Sequence, residues 1–136
     1  MFRRAQNQND YTVYTQTTGA SYSIYSPPTT DILYFHLDVK WSEVGIGLRF
    51  NDVSVTPADT LEITFYTSIN YHNPDAIFNV CGNNRDVYYD NNSERLWTIK
   101  PSSAGYLDIG LKSGRGDVDC GVTIRKIKLN GETLFR

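Results

Sequence analysis

The feature that most restricts this chain is the alternation of apolar and polar side chains between residues 33 and 65. Leu33, Phe35, Leu37, Val39 and Trp41 occupy every second position, with Tyr34, His36, Asp38 and Lys40 between them. Val44, Ile46, Leu48 and Phe50 repeat the pattern, with Gly45, Gly47, Arg49 and Asn51 on the opposite face. Leu61, Ile63 and Phe65 form a third such run beyond the turn at Pro57-Ala58-Asp59. A period of two gives each segment one dry face, which is the signature of half-buried strands.

The rest of the chain agrees. Residues 11–17 alternate like an edge strand, Gly19 interrupts, residues 21–25 resume, and Pro27-Pro28 ends the run. Further short strands are expected at 76–81, 86–89, 96–99, 105–111 and 121–129. Asn130-Gly131 is a two-residue hairpin signal, because both residues tolerate positive φ. Ten Tyr, six Phe and two Trp against one Met also favour strands. No window carries a helical period with caps. About ten short strands separated by turn clusters predict an all-β fold, an antiparallel β-sandwich of the jelly-roll type. The 136 residues suffice for one core, so the expectation is a single domain over 1–136, with 1–10 a polar N-terminal arm.

Composition narrows function by exclusion. A net charge of −2 offers no attraction to phosphate backbones or anionic lipid, so neither nucleic acid nor membrane is expected as a partner. No run approaches the length of a membrane span. Residues 1–10 lack the apolar core of a secretory leader, and Met1 reads as a native start. Synthesis in a host cytoplasm without a signal peptide and a working place on a virion surface fit this; an extracellular location is the alternative. Residues 11–30 carry no charge at all. An uncharged edge invites pairing, so residues 1–30 are the expected contact with other virion proteins or with further copies of the chain.

Catalytic signatures are missing. There is no GxSxG elbow, phosphate loop or CxxC, and His36 and His72 have no partner at zinc-ligand spacing. No enzyme activity and no cofactor are expected. Cys81 and Cys120 lie in apolar runs and read as free buried thiols. For a metal, calcium is the candidate: Asp86, Asp90, Asp117 and Asp119 sit in loop-rich stretches that supply hard oxygen ligands. The same residue types form turns without any metal.

Sugar binding is the strongest positive reading. Flat aromatic faces stack on sugar rings while nearby amides, carboxylates and guanidinium groups read hydroxyls. Tyr88, Tyr89, Asp90, Asn92, Arg95 and Trp97 combine these groups in one stretch, and Tyr66, Tyr71 and His72 form a second cluster. Cell-surface or cell-wall polysaccharide is the expected partner.

The run Val44-Gly45-Ile46-Gly47-Leu48-Arg49-Phe50 through Val53, Pro57, Ala58, Ile63 and Phe65, followed by Ala76-Ile77-Phe78-Asn79-Val80-Cys81, resembles galactose-binding-like β-sandwich modules. Modules of this carbohydrate-binding kind occur in phage virion accessory proteins and secreted multidomain proteins. The resemblance implies a β-sandwich that adheres to carbohydrate. A purely structural virion component and a binding module of a secreted glycan-degrading protein are the alternatives. Val55-Thr56-Pro57-Ala58-Asp59 stands where the pattern has an Ile-Pro and a Gly, and no sugar-contacting motif matches, so no site residue is carried over.

Overall fold

The computed structural model describes residues 11–25, 34–39, 44–69, 76–87, 93–114 and 120–134. Among these residues it is all-β, and two antiparallel sheets form a sandwich. The first sheet contains β1 (Tyr11–Gln16), β4 (Gly45–Val55), β9 (Gly105–Lys112), β6 (Ile77–Val80) and β7 (Asn83–Asp86), in the order β1-β4-β9-β6-β7. The second contains β2 (Ala20–Tyr25), β3 (Tyr34–Val39), β10 (Cys120–Leu129), β5 (Leu61–Ile69) and β8 (Glu94–Ile99), in the order β2-β3-β10-β5-β8. A short β11 (Glu132–Thr133) pairs with β10. Strands β3-β10-β5-β8 therefore face β4-β9-β6-β7, so between β3 and β10 the chain crosses between layers at every step except the β6–β7 hairpin. That is jelly-roll connectivity.

The alternation read from the sequence becomes the core. Ile46, Leu48 and Phe50 of β4 meet Leu107, Ile109 and Leu111 of β9 on the inner side of one sheet. Leu61, Ile63 and Phe65 of β5 meet Val122, Ile124, Ile127 and Leu129 of β10 on the inner side of the other. Phe78 and Phe65 touch across the layers, with ring centroids 5.2 Å apart. Burial of these side chains drives the two layers together.

Three findings differ from the sequence expectation. Residues 11–17 and 21–25 are not one interrupted strand: β1 pairs with β4 and β2 with β3, in different sheets. The reversal at Gly19, with φ 97°, carries the chain from one layer to the other, and Tyr11 and Tyr22 close that flank edge to face, 5.7 Å apart. Second, β4 continues to Val55 because its pairing with β9 skips between Phe50 and Ser54, which keeps Val53 buried on a bulged stretch. Third, the strand expected through Cys81 stops at Val80. Cys81 and Gly82 both have positive φ (49° and 85°) and form the two-residue turn to β7. Asn130-Gly131, with φ 51° and 86°, makes the foreseen turn into β11. Both cysteines are buried thiols outside any disulfide.

Candidate binding face

The outer side of the β1-β4-β9-β6-β7 sheet carries a groove, and its floor follows from glycine. Gly47 and Gly110 are directly paired across β4 and β9 at the centre of the sheet, and Gly45 sits two residues earlier on the same face. With no side chains here, the backbone is bare, and an aromatic ring can lie on it. Tyr14 fills that role. The β1–β4 register runs from Val13↔Leu48 to Thr15↔Gly47, which leaves Tyr14 as an extra, unpaired residue. Such a bulge re-aims its side chain. The ring covers Gly47 so closely that a Cβ there would overlap it, and the phenol oxygen lies 3.5 Å from where a Gly110 Cβ would stand.

Arg49 organises the neighbouring part of the face. It is paired with Asp108 in register, and its Nε and Nη2 donate to the two carboxylate oxygens at 2.8 and 3.0 Å. The guanidinium carbon lies 5.6 Å from the Tyr14 ring centroid and 5.7 Å from that of Tyr106. One cation, fixed by a two-pronged ion pair, thus positions two tyrosines through cation–π contact. Tyr14 and Tyr106 remain 48% and 46% exposed, among the large apolar side chains most open to solvent. Burial against the sheet pushes the Tyr14 phenol above its ordinary range, and Asp108 adds to this while Arg49 opposes it.

Tyr14 divides the groove in two. On one side a volume of about 640 Å³ is bordered by Thr15, Thr17, Gly45, Ile77, Asn84 and Lys112. On the other, about 470 Å³ is bordered by Arg49, Gly82, Ser102, Ser103, Tyr106 and Asp108. Asn79 borders both and donates through Nδ2 to Asn84 Oδ1 at 2.7 Å. The Cys81-Gly82 turn closes the far end. Ser102 N and Oγ both donate to Cys81 O, at 3.0 and 3.2 Å. Burial pushes the Cys81 thiol up to about 11, against a backbone hydrogen bond with Asp108 that pulls it down.

Of the sugar-binding residues singled out from the sequence, three are described, Tyr66, Arg95 and Trp97, and none of them lines this groove. Tyr66 is half-buried on the outer face of the other sheet, in register with Glu94 and Thr123. Trp97 follows the opposite parity of β8, opposite Ile63, and packs on Phe78 at 5.7 Å and Phe65 at 6.3 Å, with Arg85 5.5 Å above it. Tyr66 and Trp97 therefore point to opposite sides of one sheet and do not form a common platform. Arg95 is exposed on β8 opposite Phe65. Of the calcium candidates, Asp86 stands on β7 in register with Ile77, and among the described residues no group of three potential metal ligands is assembled. Tyr71, His72, Tyr88, Tyr89, Asp90, Asn92, Asp117 and Asp119 lie outside the described residues, as do Trp41 and the arm 1–10.

Sequence reasoning missed Tyr14, Arg49, Asn79, Tyr106, Asp108 and Lys112. A signal was present: the outward set Gly45, Gly47 and Arg49 on β4, matched by Tyr106, Asp108, Gly110 and Lys112 on β9.

No family model and no curated protein sequence matches the chain. Solved structures similar to it are carbohydrate-binding modules of family 29. One, complexed with mannohexaose, is 14% identical with a TM-score of 0.44 over 95% of this chain and 87% of that one. A second is 13% identical with a TM-score of 0.37 over 90% and 93%, and a third is 15% identical with a TM-score of 0.36 over 90% and 92%.

Proposed function

We propose that the chain is a non-catalytic carbohydrate-binding module and that its ligand lies along the groove on the outer face of the β1-β4-β9-β6-β7 sheet. The observation that carries this reading is the pair of half-exposed tyrosines, Tyr14 and Tyr106, held on either side of Arg49 over a glycine-cleared floor. Rings fixed in this way lose little freedom when a pyranose stacks on them, so binding costs less entropy. Asn79, Asn84, Ser102 and Ser103 supply the donors and acceptors that hydroxyls need. The groove follows β9 from Gly105 to Lys112, roughly 24 Å at the rise of a strand. That suits a stretch of polysaccharide better than a single sugar. Asp108 is committed to Arg49, an arrangement that positions rings rather than one that moves protons.

Calorimetry against a panel of cell-surface and cell-wall polysaccharides tests this. Tyr14→Ala and Tyr106→Ala should each weaken binding about tenfold, equivalent to about 1.4 kcal/mol, while Tyr66→Ala on the other sheet leaves it unchanged. The reading fails if no saccharide binds at millimolar concentration, or if Tyr66→Ala is the variant that loses affinity.

A further inference from the structure

Three charged side chains border the groove among the described residues: Arg49, Asp108 and Lys112. The first two cancel within their bidentate pair. Lys112 has no carboxylate within ion-pair distance among the described residues. Asp86 shares its face but stands two strands away, with Ile77 between them in the ladder. The lysine stem is also placed. Its Cβ and Cγ lie 3.8 and 3.7 Å from where a Gly45 side chain would begin, so the stem starts beside the bare backbone of β4. Lys112 is in register with Ile77 and lines the groove together with Thr15 and Thr17. Counted over the described residues, the lining carries one net positive charge on a chain of charge −2, a local feature that the overall balance does not predict.

We infer that the module selects acidic glycans, with Lys112 pairing with the carboxylate of a uronic acid unit one step along the chain from the ring stacked on Tyr14. This rests on the groove being the glycan site. A lysine ammonium is a compact point charge that accepts a carboxylate from several directions, which fits the variable rotation of a sugar carboxyl group. The remaining sugars meet neutral groups, so the charge decides between ligands of equal shape.

The test uses matched pairs of polysaccharide, galacturonan, alginate and hyaluronan, each with its carboxyl-esterified form, titrated into the full chain. At low salt at least one acidic form should bind about tenfold tighter than its ester. The gap should narrow as salt rises, because an exposed pair is screened. Lys112→Gln should abolish the preference, bringing the acidic form and its ester to equal affinity; Lys112→Arg should retain most of it. Equal affinity within every pair, or a preference that survives Lys112→Gln, overturns the inference while leaving the glycan site standing. Binding of neutral glycans alone does the same. Failure of every glycan to bind removes both.

Discussion

At the scale of single residues, the molecule spends two unusual positions on its groove. Arg49 does not reach out for a ligand: both carboxylate oxygens of Asp108 hold it, and its planar faces serve the two tyrosines. Cys81 is the other. It occupies a turn position with φ 49°, where a side chain is uncommon, and its thiol is buried at the groove's end. Burial favours the neutral thiol, so the folded protein holds its proton up to about 11, whereas the unfolded chain loses it near the ordinary 9. Between those values the unfolded state binds fewer protons, and stability must fall as pH rises. Urea unfolding under reducing conditions at pH 8, 9.5 and 10.5 should show the wild type losing stability relative to Cys81→Ala across this window. Parallel curves would contradict it.

At the scale of elements, pairing decides which residues meet. Gly47 is paired with Gly110 and lies under the bulged Tyr14. A methyl group there collides with a ring at the end of a flexible side chain, so the ring moves and the strand survives. Gly47→Ala should therefore cut glycan affinity about as much as Tyr14→Ala, while its melting temperature stays within a few degrees of the wild type; loss of the fold would refute the assignment. Much of this level was legible in the sequence. The alternation from Leu37 to Phe65 foretold β3, β4 and β5 and their inward faces, and Asn130-Gly131 foretold its turn. The site was not, for two physical reasons. Arg49 and Asp108 are 59 residues apart and meet only because β4 pairs with β9, a long-range choice that local periodicity does not encode. Strand parity also decides what a side chain meets: Trp97 reads in the sequence like a binding-surface aromatic, yet the β8 register turns it onto Phe65 and Phe78. Cys81-Gly82 escaped notice because cysteine is a poor advertisement for a left-handed turn.

At the scale of the whole molecule, β3 to β10 already complete the jelly roll, and β1 and β2 are additions on one flank, each with a single neighbour in its sheet. The flanks are unlike: β7 and β8 carry Arg85, Asp86, Glu94 and Arg95, whereas β1 and β2 have no charge. Elements with one neighbour open at lower cost than central strands. Hydrogen exchange should accordingly find the β1 amides less protected than those of β9, and a saturating glycan should slow β1 most, since Tyr14 rides on it; uniform slowing across both sheets would argue against this. The recognition surface is thus hinged to an edge ribbon of the scaffold. Fraying of one outer strand would silence the protein while its core stayed whole, and occupancy by a sugar would act as the clasp that keeps that ribbon down.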